Sequence, residues 1–466
     1  MTRSADEPRN RFLSDPLPGL YVRTAAPIIF VMATNGLLTV IDALFLGTFV
    51  GADALTAVTM MFPVFMLLVA LATLVSGGMS SLLARLLGAG ERETARETVA
   101  GAHGLAAVGC ALLIAGFLLG GRQMVAFIAG GDEALAATGG RYISILIYCS
   151  PAMFFLSLNS DALRCEGRMG LVAAVAVATS LGNIMLNYVL IAMLGFGVAG
   201  SAWGTVFAQL FAAGAIVAYR LAASSPLSFR GLPRTGWTCL WGEFLKLGAP
   251  QSLAFLGISL ISGAIIAAVH RWGGEGQAAT VAAYGIVTRI ITFVYLPLLG
   301  LTAAMQAITG NNFGAAKWER SNASLRLAAF AGLAYYGSVQ VLLLAARHRI
   351  GFVFVDDPAT AAEVARILPV MTMTLFIAGP LMVLSAHFQA IGEAGRAAAI
   401  SLSRTYLFAL PLTFLVSFWY GETGVWAAGP MAELCLLALT IFVLTRTARQ
   451  KSLGWGLFQT VQGKAA

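Results

Sequence analysis

The chain has 466 residues, of which 59% are hydrophobic and only 11% are charged, and its mean hydropathy is +0.83. Soluble domains carry roughly a quarter charged residues, and disordered chains combine low hydrophobicity with high net charge, so both classes are excluded. The 51 glycines follow no Gly-X-Y period, which excludes collagen. The remaining class is an all-α integral membrane protein, and the length leaves room for about a dozen helical spans.

The net charge of +8 is typical of membrane proteins, which concentrate Lys and Arg in cytoplasmic loops, and we expect no nucleic-acid partner. The five cysteines form no CxxC pair, and most lie in apolar runs, so they are expected to be buried hydrophobic residues. The polar N-terminus has no short apolar core followed by a cleavage site. The first span is therefore expected to act as the insertion signal.

Twelve apolar runs follow one another along the chain, each about long enough to cross a hydrocarbon core as a helix. Nine of the fifteen prolines lie in or beside these runs, which indicates kinked helices in a bundle, where neighbouring helices satisfy the freed carbonyls. The runs lie near 25–50, 57–86, 99–119, 141–160, 169–193, 198–221, 247–270, 279–309, 326–346, 367–390, 397–420 and 424–446.

The distribution of basic residues predicts the orientation. With both termini inside, the inner segments contain 22 of the 29 Lys and Arg residues, the outer loops contain six, and Arg289 lies within a span. The positive-inside rule therefore favours twelve spans with both termini in the cytoplasm.

A weak internal repeat divides the chain into two halves of six spans. LGAGERETARE at 87–97 aligns with FGAAKWERSNA at 313–323, and all aligned segments are separated by 223 to 226 residues. Six spans return the chain to the same side, so the halves are parallel repeats, an architecture typical of transporters. The expected parts are a cytoplasmic N-terminal segment 1–24, an N-lobe 25–221, a cytoplasmic linker 222–245, a C-lobe 246–446 and a cytoplasmic tail 447–466.

One acidic residue lies clearly inside a span. Asp42 is about eight residues from the outer end of the first span, where an ionised Asp costs about 2.5–3.5 kcal/mol. Asn35, Thr39 and Asp42 are spaced i, i+4, i+7 and share one helix face. Burial favours the neutral acid and would make Asp42 a proton carrier, whereas a bound cation would favour the carboxylate. A hydrogen bond to a neighbouring helix is the purely structural alternative.

Two further spans of the first half have polar faces. Ser180, Asn183 and Asn187 are spaced i, i+3, i+7 in the fifth span, and Thr205 and Gln209 are spaced i, i+4 in the sixth. Such side chains often only hold helices together, at about 0.6 kcal/mol each. Three polar faces around one carboxylate favour a common site.

Other charged and ligating residues indicate structural roles. Glu433 in the twelfth span and Arg289 in the eighth are each expected to have a structural partner or an interface position rather than a coupling role. The four histidines have no metal-ligand spacing and there is no Walker A sequence, so we expect no metal, no cofactor and no ATP-driven transport. Four residues near the inner end of the fourth span are expected to form loop ion pairs: Asp161, Arg164, Glu166 and Arg168.

Several segments form a recognisable pattern: VIDALFLGTFVGADALTAV, LGAGERETARE, GNIMLNYVLI with GFGVAGSAWGTVFAQ, and HFQAIGEAGRAAAISLSR. Together they resemble the multidrug and toxic compound extrusion (MATE) family, and look closest to its bacterial MepA-like branch. The resemblance covers essentially the whole chain. It implies two six-helix lobes forming a V and drug–cation antiport by alternating access. It also implies that Asp42 is the coupling carboxylate, that Asn183, Asn187 and Thr205 surround it, and that Pro27 lies at a bend in the first helix.

The sequence departs from the family pattern in its acidic residues. Several members carry Asp where this chain has Asn187, and others carry acids in the seventh and tenth spans, which have none here. A C-lobe sodium site is therefore not expected, and H⁺ is favoured over Na⁺. The expected function is an antiporter in a bacterial inner membrane that exports small-molecule drugs and cations. It is expected to be no enzyme and to have no obligate protein partner.

Three alternatives differ in testable features. A lipid-linked precursor flippase of the same superfamily tends to have extra spans and a strongly cationic central cavity, for which only Arg289 and Arg141 are candidates. A major facilitator transporter has a G-x-x-x-D-R-x-G-R-R loop after the second span, where this chain has LGAGERETARE. A membrane enzyme needs a nucleophile–base pair or a metal site, and the sequence offers neither.

Overall fold

The chain is a bundle of long helices, as described by a computed structural model for residues 10–222, 227, 236–272, 277–451 and 454–458. The N-half, as we call the part before residue 223, contains α1 (Leu17–Phe49), α2 (Ala52–Met60), α3 (Phe62–Ala89), α4 (Arg92–Ile128), α5 (Glu133–Tyr148), α6 (Ser150–Cys165), α7 (Met169–Asn187) and α8 (Gly197–Ala222). The C-half, from residue 236 onward, contains α9 (Trp241–Trp272), α10 (Gln277–Gly314), α11 (Trp318–Ile350), α12 (Pro358–Met371), α13 (Leu375–Ala390), α14 (Ala394–Leu402), α15 (Leu410–Tyr420) and α16 (Glu422–Lys451).

Two π-helical segments interrupt the α-helical pattern, one in each half. The first, Tyr188–Met193, follows α7 directly, and the second, Ser403–Ala409, joins α14 to α15. Short 3-10 turns lie at Arg11–Leu13 and Gly351–Val353.

The helices match the twelve-span architecture that the sequence predicts. In the described ranges ten helices are long and apolar enough to cross a membrane, and two bent helix pairs bring the number to twelve when each pair counts as one span. The pair α5 and α6 is bent by 50° and the pair α12 and α13 by 52°. These are the fourth and tenth spans, so the bends occupy equivalent places in the two halves.

The bent spans also begin in the same way. Asp132 caps α5 by accepting hydrogen bonds from two backbone N–H groups of the first turn, at 2.9 and 3.0 Å. Asp357 caps α12 by accepting from the N–H groups of Ala359 and Thr360 at 3.3 and 2.9 Å. Hydrogen bonds from the Thr360 hydroxyl and these backbone groups hold the pKa of Asp357 below its usual range. Two caps 225 residues apart thus extend the repeat from sequence to local structure.

Several helices extend beyond the apolar runs. The first helix begins at Leu17 rather than near 25, and α9 begins at Trp241, inside the expected linker. The last helix continues to Lys451. Residues 1–9, most of the linker (223–226 and 228–235) and the tail from 459 onward lie outside the described residues.

The two halves pack together at the end of the bundle where residues 10–16 and 454–458 lie, which we call the terminal end. Here α3 crosses α9 at two glycines. Gly78 lies against the carbonyl oxygen of Phe244, and Gly248 lies against the carbonyl oxygen of Leu74, so closely that a Cβ on either glycine would collide with backbone. Small residues at such crossings allow helix backbones to approach within membrane bundles.

At the opposite end, the far end, each half has a core of its own. The arms of the bundle are therefore joined at the terminal end and packed separately at the far end, which produces a V with a cleft between the halves. The N-half core includes Met61, Leu68, Val125, Ile143 and Val206, and the C-half core includes Ile265, Val287, Leu343, Ile367 and Trp426.

Candidate ion and substrate site

A hydrogen-bond network joins three helices of the N-half around Asp42. The Asn187 amide nitrogen donates to Asp42 Oδ1 at 2.6 Å and to Asn183 Oδ1 at 3.1 Å. The Asn183 amide nitrogen in turn donates to the hydroxyl of Thr205 at 3.1 Å, and this hydroxyl donates to the carbonyl oxygen of Ser201 at 3.1 Å. The structure thus brings together Asp42 on α1, both asparagines on α7 and Thr205 on α8.

The Asn183 amide matches its surroundings better when its oxygen and nitrogen are exchanged. In that orientation the nitrogen donates to Asp42 Oδ1 at 3.1 Å, and the oxygen accepts from the backbone N–H and the hydroxyl of Thr205 at 3.2 and 3.1 Å. Asp42 then accepts from two neutral amides, and within the described part of the chain it forms no ion pair. Its negative charge is solvated by dipoles but not neutralised.

Asp42 lies where the two halves have begun to separate. Its amide partners are buried, with Asn183 2% and Asn187 0% exposed, while Asp42 is half-buried. Toward the terminal end α1 still packs on α10, since a Cβ on Gly36 would lie 3.4 Å from Leu296. Asp42 is nearly two turns farther along α1 than this contact, and part of its side chain remains exposed.

Gly204 on α8 leaves the space that the Asn187 amide occupies. A Cβ at this position would overlap with Asn187 Oδ1. That oxygen is buried and has no hydrogen-bond partner among the described residues, a condition that costs about 1–3 kcal/mol.

Two features of the site escaped the sequence analysis. Asn187 is the last residue of α7, and the π segment Tyr188–Met193 begins directly after it; such segments are frequent at functional sites because they re-aim side chains. Tyr142 on α5 lies close enough to Asp42 for the two groups to interact electrostatically. No motif in the sequence marks Tyr142, whose position follows from packing alone.

The other candidate residues are less closely connected to Asp42. Ser180 is buried about one turn before Asn183 on α7. Asn35 is exposed on α1, and Gln209 is half-buried on α8. The side chain of Thr39 lies outside the described residues. The first helix continues through Pro27 without interruption, so a bend there stays a prediction.

A second charged pair lies in the C-half. Glu433 on α16 has the structural partner that the sequence suggests, because Arg404 Nε donates to Glu433 Oε1 at 2.5 Å. The Glu433 side chain is 7% exposed and that of Arg404 is 46% exposed. Arg404 lies ten residues beyond the start of α14, within the eleventh span.

The ion pairs near the fourth span differ in part from expectation. Arg164 and Asp161 form the expected pair, with Arg164 Nη2 3.2 Å from Asp161 Oδ1. Glu166 instead pairs with Arg220 of α8, and both side chains are almost fully buried. This pair fixes the end of α8 against α6, a partner too far along the chain for a local pattern to reveal.

Comparison with known protein families identifies one family that matches both halves of the chain. The MatE family profile matches residues 27–189 and again residues 250–415. The two matches begin 223 residues apart, the separation of Pro27 and Pro250 in the sequence repeat.

Related proteins and solved structures match most of this chain and most of their own length. A probable multidrug resistance protein of Bacillus subtilis, YoeA, is 26% identical over 84% of this chain and 86% of its own. The multidrug export protein MepA of Staphylococcus aureus is 24% identical over 94% of this chain and 96% of its own. An outward-facing structure of a multidrug resistance MATE transporter has a TM-score of 0.84 at 22% identity, covering 94% of this chain and 97% of that one.

The family match covers well over half of the residues, and the helical architecture agrees with it. Members of this family are multi-pass membrane transporters rather than enzymes, and they bind small drug-like compounds. The chain therefore belongs to the MATE family of multidrug efflux transporters.

Proposed function

We propose that this transporter exports amphipathic, often cationic, organic compounds in exchange for H⁺, and that Asp42 binds proton and substrate in alternation. The observation that supports this most directly is the Asp42 carboxylate itself. It is held by the amides of Asn187 and Asn183, it has no ion-pair partner among the described residues, and it lies beside the cleft. YoeA is a probable multidrug resistance protein and MepA is a multidrug export protein, which supports drugs as the cargo.

The donor pattern favours H⁺ over Na⁺. A hard cation such as Na⁺ needs several oxygen ligands directed at it. Around Asp42 the amides instead present nitrogen, since Asn187 donates to the carboxylate, and Asn183 does so in its better orientation. A proton needs only the carboxylate, which then donates as a neutral acid.

The proton and a cationic substrate then compete for binding to the Asp42 carboxylate. Ionised Asp42 attracts a cationic compound into the cleft, because an unpaired carboxylate in a low-dielectric bundle is strongly stabilised by an opposite charge. Protonation removes that attraction and releases the compound. This exchange requires that only one of the two species is bound at Asp42 at any time.

The V shape supplies the conformational half of the cycle. We infer that residues 25–221 and 246–446 move as two lobes, that both termini are cytoplasmic, and that the protein resides in a bacterial inner membrane. With this orientation the crossing of α3 and α9 at Gly78 and Gly248, which we call the glycine seam, closes the cytoplasmic side, and the cleft faces outward. External protons then reach Asp42 directly, and opening of the seam exposes the same site to the cell interior.

Replacing Asp42 by Asn tests the proposal. We expect Asp42→Asn to insert normally and to lose ethidium efflux in a pump-deficient bacterium, since the amide can neither ionise nor release a proton. Asp356→Asn is the matched control, because Asp356 lies exposed in the loop before α12. Full efflux by Asp42→Asn would refute the assignment of Asp42.

The coupling ion requires a separate measurement. In vesicles that contain the purified protein, collapse of the pH gradient with an imposed sodium gradient intact should stop transport. Continued transport under these conditions would show that Na⁺ drives export.

A further inference from the structure

We propose that Arg404 forms an anion subsite on the C-half side of the cleft, which binds the carboxylate of amphipathic substrates that also carry a cationic group. The inference rests on the proposed function, because it adds a second contact for the exported compound. It assigns a role to a charged pair that the Asp42 mechanism does not use.

Arg404 lies among helices rather than against lipid. It belongs to the π segment Ser403–Ala409, its partner Glu433 is on α16, and it interacts electrostatically with the phenols of Tyr295 on α10 and Tyr336 on α11. The next residue, Thr405, packs against α9 at Gly257. Three neighbouring helices thus lie near a side chain that is 46% exposed, and a fourth packs against the next residue.

The pairing leaves much of the guanidinium available. Only Nε of Arg404 contacts Glu433, and it contacts only Oε1. Glu433 Oε2 is buried and has no hydrogen-bond partner among the described residues, so the two groups do not form a two-bond fork. The terminal nitrogens of Arg404 therefore keep their donors for a second carboxylate, which guanidinium binds with matching planar geometry.

Glu433 acts as a positioning residue in this arrangement. An arginine inside a membrane bundle is stable only with a partner or with water. Glu433, buried at 7% exposure, supplies that partner from behind and fixes the orientation of the guanidinium through Nε. In the proposed subsite, the exposed edge of Arg404 faces the cleft.

Arg289 adds a second positive charge on the C-half side of the cleft. It precedes Phe293 and Leu296 by four and seven residues, so the three share one face of α10. A Cβ on Gly36 would lie 3.7 Å from Phe293 and 3.4 Å from Leu296, so this face is directed at α1. The two helices run in opposite directions, which places exposed Arg289 at about the depth of Asp42.

The walls of the cleft thus differ in charge. Among the described residues, the N-half contributes the Asp42 carboxylate, which forms no ion pair, and the C-half contributes Arg289 and the Arg404–Glu433 pair. A compound with a protonated amine and a carboxylate on one apolar frame has a complementary contact on each side. A simple cation needs only Asp42.

The test compares two forms of one compound. Transport of norfloxacin, which carries both an amine and a carboxylate, is measured beside its methyl ester, in which the carboxylate is masked. We expect Arg404→Gln to lower norfloxacin efflux relative to the ester by about tenfold, the equivalent of one charge-assisted hydrogen bond. Arg122→Gln, which removes an exposed arginine of α4, should leave the ratio unchanged.

A double variant separates loss of the subsite from loss of folding. Arg404→Gln leaves Glu433 buried without its partner, whereas Arg404→Gln with Glu433→Gln removes both charges. An unchanged norfloxacin-to-ester ratio in the folded double variant would overturn the subsite. If Asp42→Asn exports as well as the parent chain, the proposed function fails instead.

A lipid headgroup offers the same anionic chemistry and is distinguished in the same assay. The subsite predicts that a fluorescent phosphatidylglycerol added to the vesicles crosses the bilayer at the same rate with the parent chain and with the double variant. Loss of lipid movement in the double variant would assign Arg404 to a lipid substrate and refute the carboxylate assignment.

Discussion

The two halves of the transporter carry polar sites in equivalent spans, yet the sites differ in charge. In the N-half, Asn183 and Asn187 extend from the fifth span toward Asp42, and the π segment follows. In the C-half, Arg404 lies in the π segment of the eleventh span and contacts Glu433 of the twelfth. One site has a single negative charge held by amides, and the other has a compensated ion pair.

The two parallel repeats thus have the same helical architecture but differ in the chemistry of their polar sites. A carboxylate without a counter-charge can gain and lose a proton within the transport cycle. The Glu433 carboxylate instead forms an ion pair with Arg404, so its charge is compensated within the C-half. In the proposed mechanism, ion coupling therefore belongs to the N-half, and the C-half retains a charged pair for substrate recognition.

The largest effect should follow from giving the N-half site the charge balance of the C-half site. Asn187→Lys places an ammonium group beside Asp42, whose Oδ1 is 2.6 Å from the native amide nitrogen. We expect efflux to fall to the level of cells without the transporter, because the new ion pair excludes both proton and cationic substrate. Accumulation of ethidium measures the loss.

The control for this variant keeps its bulk without its charge. Asn187→Gln retains an amide at the same place and should keep measurable transport if its expression equals that of the parent chain. Efflux by the lysine variant at the parental rate would show that an uncompensated Asp42 is not required.

The second-largest effect concerns protein stability, which should differ between variants of Arg404 and Glu433. Arg404→Gln leaves a buried carboxylate alone, and such a break costs about 3–5 kcal/mol. Glu433→Gln should cost less, because Arg404 is 46% exposed and can be hydrated. Thermal unfolding in detergent should therefore rank Glu433→Gln above Arg404→Gln, with the double variant recovering part of the loss. Equal unfolding temperatures for both single variants would contradict this asymmetry.

The sequence predicts much of this comparison, and its limits have physical reasons. Asp42, Asn183, Asn187 and Thr205 could be found because each is a polar residue in an apolar span, at helical spacing. The Glu433 partner could not, since Arg404 is 29 residues away and counts equally well as a topological charge near a helix end. Side chains that meet only through packing between helices leave no local pattern.

The same limit applies to backbone irregularities and to the exact ends of helices. Neither π segment is marked by Gly or Pro within it, so composition does not predict Tyr188–Met193 or Ser403–Ala409. The early start of α1 at Leu17 depends on the 3-10 turn before it, whose Phe12 is buried against C-half helices. A hydropathy pattern detects apolar length, but polar residues also continue a helix when other parts of the protein cover them.

The smallest effect tests whether the geometry of the N-half site matters as well as its charge. Gly204→Ala adds a Cβ that overlaps with Asn187 Oδ1, so the amide must move and its hydrogen bond to Asp42 must lengthen. Overpacking of this kind costs about 1–3 kcal/mol, and we expect efflux to fall roughly fivefold. Gly214→Ala on the same helix is the matched control, because a Cβ there has no neighbour within 4 Å. Since both changes raise helix propensity equally, a loss confined to Gly204→Ala isolates the position of the amide, and equal efflux by both variants would show that charge alone governs the site.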